Sequence, residues 1–146
     1  PGHKFQFGRV KTVREGRDIT LISTGTQTPR VVDAADILAA NGIDAHVVHM
    51  PTIKPIDVAG LIEAAEKTGR VVTIEEHTVI GGLGGAVAET LSEHRPTRVD
   101  RIGLQDHYTE AATDDELLDM YCLSAERVAQ RVQKLMASDV PVTSCD

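Results

Sequence analysis

The residues best suited to chemistry lie together in the stretch TIEEHTVIGGLGGAVAETL, residues 73–91. Two carboxylates and an imidazole, Glu75, Glu76 and His77, precede four glycines and a run of apolar residues at helical spacing. Histidine titrates near neutral pH and a carboxylate can orient its ring, so this cluster could act as a general acid and base. Open α/β sheets place ligands at the carboxyl ends of their strands, and the cluster follows a predicted strand.

Two phosphate-binding interpretations of the glycines are weak. A dinucleotide fingerprint needs a third glycine where Val87 stands. The fingerprint also follows the first strand of its βαβ unit, whereas this glycine turn follows the third predicted strand. A P-loop needs a lysine followed by serine or threonine after the glycines, and the sequence has none there. A helix N-terminus can hold an anion, but Glu75 and Glu76 just upstream would repel it.

A structural interpretation of the same residues is favoured over chemistry within this domain alone. Neighbouring residues of a strand point to opposite faces, so Glu75 and Glu76 cannot both serve one site while the strand persists. We expect one carboxylate to cap the following helix and the glycines to permit close backbone packing. The other histidines do not suggest a metal site, because His46 and His49 lie three residues apart on a strand and therefore face opposite ways.

Alternating strands and helices must position these residues. Runs rich in β-branched residues predict strands over residues 18–24, 43–50, 70–76 and 99–104, with a further edge strand in residues 8–16. Helical spacing and capping signals predict helices over residues 29–41, after Asp57, after the glycine turn, after the Thr113–Glu116 capping box and after Ser124. In the last helix Met136 is expected to face inward with its apolar neighbours. The alternation predicts one α/β domain over residues 1–146 with a mainly parallel sheet.

Composition and charge exclude several classes of protein. A formal net charge of −7 argues against nonspecific binding to nucleic acid or to anionic membranes, and no apolar run is long enough to span a membrane. Cys122 and Cys145 are expected to be unpaired thiols, which favours a cytoplasmic location. Pro1 is not a natural start, so we expect the chain to be part of a longer polypeptide.

The stretch MPTIKPIDVAGLIEAAEKTGRVVTIEEHTVIGGLGGAVAETL, residues 50–91, resembles the C-terminal domain of transketolase-type thiamine diphosphate enzymes. The resemblance extends upstream through DITLISTGTQTPRVVDAADILAANGIDAHVVHM and downstream through IGLQDHYTEAATDDELLDMYCLSAERVAQRV, so it covers nearly the whole chain. Among these enzymes, the sequence is most similar to the transketolase C-terminal section. The sequence departs from that family at Gly85, where serine is commoner, and at Cys122, where glycine is commoner. An aromatic residue is also more usual one place earlier in DHYTEA.

The resemblance implies a three-layer α/β/α sandwich whose five-stranded sheet is mostly parallel, with one antiparallel edge strand. It also implies that thiamine diphosphate and Mg²⁺ bind between an N-terminal diphosphate-binding domain and a middle pyrimidine-binding domain of the same enzyme. The Gly-Asp-Gly stretch that holds the metal in this family does not occur in the chain. We therefore expect this domain alone to bind no cofactor and to hold no catalytic residue. Glu76, His77 and His107 are candidates only for an interdomain face or a substrate channel.

The function implied by the resemblance belongs to a larger enzyme. The parent would be a transketolase that transfers a two-carbon ketol unit between sugar phosphates, assembled as a homodimer or from two subunits, and this domain would support its neighbours and the dimer interface. Two alternatives share the domain, namely the beta subunit of a 2-oxoacid dehydrogenase and deoxyxylulose-phosphate synthase. A third alternative is a free-standing, non-catalytic interaction module.

Overall fold

The computed structural model describes residues 5–106 and 108–138, and strands and helices alternate along them as the sequence predicts. The strands are β1 (Lys11–Arg14), β2 (Ile19–Ser23), β3 (Ala45–His49), β4 (Arg70–Thr78) and β5 (Arg98–Leu104). The helices are α1 (Gln27–Ala40), α2 (Val58–Thr68), α3 (Leu83–His94), α4 (Asp114–Met120) and α5 (Ala125–Ala137).

The five strands form one mixed sheet in the order β1-β3-β2-β4-β5. Strand β1 lies antiparallel to β3 at one edge, and the other neighbouring pairs are parallel. This confirms the predicted sheet with one antiparallel edge strand. Strand β2 is buried along its whole length, as expected for a parallel strand with helices on both faces.

Helices cover both faces of the sheet and create two apolar clusters. One cluster packs α1 and α5 against the sheet through residues such as Leu21, Leu38 and Leu135. The other packs α2 and α3 against the opposite face, with Ile22 and Leu91 among its members. Leu21 and Ile22 are neighbours on β2 and belong to different clusters, because successive strand side chains point to opposite faces. The result is the three-layer α/β/α arrangement.

The predicted N-cap of α2, Asp57, is confirmed, and its carboxylate does more than cap. It accepts hydrogen bonds from the Gly60 N–H at 3.2 Å and from the Val10 N–H at 2.9 Å. The Arg9 guanidinium also lies 3.2 Å from it. Helix α2 ends at Gly69, whose φ of 72° is in the left-handed region that favours glycine. Asp57 thus ties the segment before β1 to the start of α2.

Two expectations about single side chains are wrong. Met136 is 37% exposed and does not join the core, although its helical neighbours do. Cys122 takes part in a disulfide, which removes the cysteine argument for a cytoplasmic location. Its φ of 60° lies in the left-handed region, which explains physically why glycine suits this position. Cys145 lies outside the described residues. Within the described part of the chain, no helix is both long and apolar enough to cross a membrane.

Candidate functional site

The strand order reverses between β2 and β4, and a cleft lies at this point. From β2 the chain crosses one face through α1 to β3, then returns across the other face through α2 to β4. Such a reversal is where open α/β sheets bind ligands. The cleft has a volume of about 320 Å³ and is lined by residues 24–26, 75–77 and 81–83, together with Ile53. We call it the switch-point cleft.

Glu75 closes the N-terminal end of α3. Its carboxylate is 2% exposed, and it accepts hydrogen bonds from the Leu83 N–H at 2.6 Å and the Gly84 N–H at 2.8 Å. The N-cap residue itself, Gly82, has no side chain to do this. A negative charge is favoured at a helix N-terminus by the helix dipole. The prediction that one of the two carboxylates caps the following helix is confirmed.

The glycines of the turn allow close packing. A Cβ atom at Gly82 would lie 2.0 Å from Glu75 Oε2, so any side chain there would displace the cap. A Cβ atom at Gly84 would lie 2.7 Å from Thr73 Oγ1, in the contact between α3 and the sheet. Both glycines therefore let α3 approach β4 closely, which confirms the expected packing role.

Glu76 belongs to a different network. Its side chain is 45% exposed, and Oε2 accepts hydrogen bonds from Thr26 Oγ1 at 2.8 Å and from the Arg30 guanidinium at 3.0 Å. Arg30 also donates to Gln27 Oε1, and the buried Gln27 amide donates to the Leu123 carbonyl at 2.7 Å. Glu76 therefore links the carboxyl ends of β2 and β4 and, through α1, the segment before α5.

Sequence reasoning missed Thr26 and Arg30. The signal that could have found them is their position, because both follow the carboxyl end of β2 at the start of α1. Residues that follow β2 lie close to residues that follow β4, because the carboxyl ends of parallel neighbouring strands lie at the same edge of a sheet.

His77 lies on the exposed side of the same turn. Its Nδ1 is 3.0 Å from the Thr78 carbonyl, and because a carbonyl oxygen only accepts, Nδ1 is the donor in this contact. None of the hydrogen bonds found among residues 5–106 and 108–138 joins His77 to Glu76. Both side chains line the switch-point cleft, but the imidazole contacts the Thr78 carbonyl and the Glu76 carboxylate is held by Thr26 and Arg30, so the two do not form an acid–base pair. His107 lies outside the described residues.

The residues around the switch-point cleft do not fit thiamine diphosphate with Mg²⁺. In the described part of the chain, no group of three or more His, Cys, Asp or Glu side chains is placed to hold a metal ion. The N–H groups at the start of α3, which could bind a diphosphate, donate instead to Glu75. Both Glu75 and Glu76 would also repel an anion in the cleft.

His46 and His49 face opposite sides of the sheet, as predicted. His49 Nδ1 is 2.8 Å from Thr28 Oγ1 on α1. His46 is buried on the other side, 3.8 Å from the Glu15 carboxylate. Burial lowers the pKa of His46 below its usual value, and the charge of Lys67 lowers it further. The Glu15 carboxylate offsets only part of this lowering. His46 is therefore neutral at neutral pH and serves as a structural residue.

Comparison with known proteins places the chain in a family. Residues 8–128 match the family described as the C-terminal domain of transketolase. An uncharacterized transketolase family protein of Sinorhizobium fredii is 45% identical over 136 residues, which cover 91% of this chain and 39% of that protein. A transketolase C-terminal section of Methanocaldococcus jannaschii is 40% identical, over 92% of this chain and 42% of the relative.

A solved structure supports the same placement. A split gene transketolase, solved as an inactive beta4 tetramer, is 46% identical with a TM-score of 0.87, over 94% of this chain and 45% of that one. Relatives also include 1-deoxy-D-xylulose-5-phosphate synthases, of which the Desulforudis audaxviator enzyme is 41% identical over 87% of this chain and 20% of its own. The chain spans about two fifths of the length of the first two relatives. It belongs to the transketolase C-terminal domain family.

Proposed function

We propose that this chain is the C-terminal domain of a thiamine diphosphate-dependent transketolase, and that the parent enzyme transfers a two-carbon ketol unit between sugar phosphates. Membership of the family supports the proposal, and so does the length of the relatives, which are more than twice as long as the matched region. The name of the split gene transketolase also fits a parent divided between two subunits.

The domain's own contribution to the parent is structural in this proposal. The observation that carries it is the position of Glu75, whose buried carboxylate is committed to the N-terminus of α3 and is not presented to a ligand. What the turn does present is Glu76, His77 and Ile80, the last of which is 60% exposed. An exposed apolar side chain beside polar groups suits contact with another domain. Glu76 and His77 are therefore proposed to lie on an interdomain face.

The cofactor belongs elsewhere in the parent. Thiamine diphosphate and Mg²⁺ are proposed to bind to the N-terminal and pyrimidine-binding domains, because the donor groups around the switch-point cleft do not fit them. The parent is proposed to assemble as a homodimer or from two kinds of subunit. His107 is proposed to contribute to the same interdomain face or to a substrate channel.

Calorimetric titration of the isolated chain with thiamine diphosphate and MgCl₂ tests this assignment. We expect no heat beyond that of dilution, because Glu75 occupies the N-terminus of α3 at the cleft and the Glu75 and Glu76 carboxylates would repel a diphosphate there. The intact parent, titrated in the same way, is the positive control. Binding to the isolated chain in the micromolar range would contradict the proposal.

The activity of the parent separates the proposed function from its nearest alternatives. We expect the intact enzyme to transfer a ketol unit from a ketose phosphate to an aldose phosphate. Decarboxylation of a 2-oxoacid would instead favour deoxyxylulose-phosphate synthase, which the relatives of that name make the leading alternative, or a 2-oxoacid dehydrogenase. The variant His77→Ala in the same assay tests the substrate channel: lower ketol transfer with unchanged stability would assign His77 a direct role.

A further inference from the structure

The whole formal charge of the chain resides in one segment, residues 102–126. This segment contains seven carboxylates and no lysine or arginine, which leaves fifteen acidic and fifteen basic residues in the rest of the sequence. All seven side chains are exposed; they are Asp106, Glu110, Asp114, Asp115, Glu116, Asp119 and Glu126. A charge of this size concentrated in one segment of the chain produces a field that extends beyond individual contacts.

Most of these carboxylates have no cation beside them. Asp119 pairs with Arg127 at 2.9 Å, and Glu116 is used in the capping box with Thr113. The other five carboxylates, which all lie in the described residues, form no ion pair there. A segment that holds five exposed like charges without ion pairs favours a basic partner.

A small apolar groove is formed largely by residues of this acidic segment. It has a volume of about 150 Å³ and is lined by Leu104, Leu117 and Tyr121, with Asp114 and Glu76 among its polar residues. A space of roughly this size accommodates a group as large as benzene, which is the size of one apolar side chain. Tyr108, in the same segment, is fully exposed. Exposed aromatic and apolar groups surrounded by charge are typical of protein–protein contact surfaces.

We propose that this acidic groove, formed by residues 104–106 and 108–121, docks a basic segment of another domain or subunit of the parent enzyme. One apolar side chain of that segment would enter the groove, and lysines or arginines on either side of it would pair with the unpaired carboxylates. The inference rests on the proposed function, which requires such neighbours. Glu76 borders both this groove and the switch-point cleft, so one partner surface can cover both.

A second copy of this chain fits the groove poorly. The most basic stretch of the sequence is residues 9–17, around β1. Its arginines are already paired within the chain, Arg9 with Asp57, Arg14 with Asp36 and Arg17 with Asp44. Breaking three existing ion pairs to form new ones between copies brings little net gain. Charge complementarity therefore favours a basic surface on a different polypeptide or domain over a second copy of this chain as the occupant of the groove.

Carboxylate labelling of the native assembly tests this proposal. A water-soluble carbodiimide with glycine ethyl ester modifies exposed carboxylates, and without the ester it joins them directly to lysine amines that touch them. In the assembly we expect slow labelling at Glu110, Asp114 and Asp115 compared with Glu89 and Glu93 on α3, and faster labelling at high salt, which screens ion pairs. Crosslinks should join the acidic groove to lysines outside the 146 residues of this chain.

Two results would overturn the proposal. Labelling of the acidic groove in the native assembly as fast as that of the α3 controls would show that nothing docks there. Crosslinks only between copies of this chain would show that the occupant is a second copy, and would overturn the choice of partner. Ketol transfer is assayed separately on the same assembly. A protected groove in an enzyme without ketol transfer would therefore refute the proposed activity and leave the docking surface intact.

A matched pair of variants provides a second measurement. The triple variant Glu110→Gln, Asp114→Asn and Asp115→Asn removes charge from the acidic groove. The control variant Glu63→Gln, Glu89→Gln and Glu93→Gln removes as many exposed charges from α2 and α3. In the assembly of the first variant we expect the reagent to label Glu76 about tenfold faster than in the wild type, because docking is weakened. In the assembly of the control variant we expect the labelling rate of Glu76 to be unchanged. Equal rates in both variants, with both folded by circular dichroism, would contradict the proposal.

Discussion

Replacing Glu75 by alanine tests the central structural interpretation of the glycine turn. The carboxylate is buried and accepts two backbone hydrogen bonds, at 2.6 and 2.8 Å, from the first turn of α3. Removing it leaves both N–H groups without their acceptor inside the protein. It also removes the negative charge that stabilises the helix N-terminus.

The expected cost follows from these contacts. A hydrogen bond to a charged group contributes about 1.5–3 kcal/mol, and the loss of a helix cap costs about 0.5–2 kcal/mol. Removing a buried carboxylate also relieves its desolvation, which offsets part of the loss. We therefore expect Glu75→Ala to lower the free energy of unfolding by about 3 kcal/mol, a large fraction of the roughly 5–15 kcal/mol that stabilises a domain. Glu75→Gln keeps the shape and one acceptor oxygen, and is expected to cost about 2 kcal/mol.

Urea unfolding followed by far-ultraviolet circular dichroism measures these changes, since the chain has no tryptophan to serve as a fluorescence probe. The neighbouring variant Glu76→Ala is the control. It removes an equally charged side chain that is 45% exposed, so we expect it to cost no more than about 1 kcal/mol. Equal costs for the two alanine variants, or a loss below about 1 kcal/mol for Glu75→Ala, would refute the capping interpretation.

Three further predictions concern other parts of the fold. Gly84→Ala places a Cβ atom 2.7 Å from Thr73 Oγ1 and should lower the free energy of unfolding by about 1–3 kcal/mol, measured in urea. Asp57→Ala removes the cap of α2 and the bond to the Val10 N–H, and should cost about 2 kcal/mol in the same assay. His46 has a lowered pKa, so the stability it contributes is present above about pH 6.5 and is lost as the pH falls through its folded pKa. His46→Gln should therefore show a smaller loss of stability than the wild type between neutral and acidic pH.

Each of these predictions has its own control. Gly85 lies beside Gly84 in α3 but has nothing within 4 Å of its would-be Cβ atom, so Gly85→Ala should be neutral or stabilising by up to about 1 kcal/mol. Asp57→Asn retains a capping oxygen and should cost less than Asp57→Ala. An identical pH dependence of stability in His46→Gln and the wild type would show that His46 does not contribute to acid sensitivity.

The arrangement of strands and helices was predictable because its signals are local. Apolar runs, Asp57 and the Thr113–Glu116 capping box each act over a few residues, and all appear in the structure as expected. Strand alternation predicted that Glu75 and Glu76 contact different helices, α3 and α1, as they do, but both residues still line the switch-point cleft. The geometry of the candidate site is therefore predictable from the sequence where a single strand determines it.

The contacts of the site were not predictable where they join distant segments. Arg30 and Thr26 reach Glu76 across 46 and 50 residues, and only the strand order brings them together. Strand β4 runs two residues past its predicted end, because an irregularity in its pairing with β5 lets Thr78 pair with Leu104. Met136 fits the helical pattern of α5, and its exposure depends on where the packed surface ends.

The contact between Glu75 and Gly82 has a consequence for how the sequence can change. A side chain at position 82 would collide with the Glu75 carboxylate, while the loss of that carboxylate would leave α3 uncapped. The two positions are therefore energetically coupled, and the effects of substitutions there should not add. Alanine at position 82 should cost less in a chain that already lacks Glu75 than in one that retains it. A change at either position thus alters the cost of a change at the other, while the Thr78 carbonyl oxygen, 2.8 Å from a Cβ atom at position 82, restricts that position in either case.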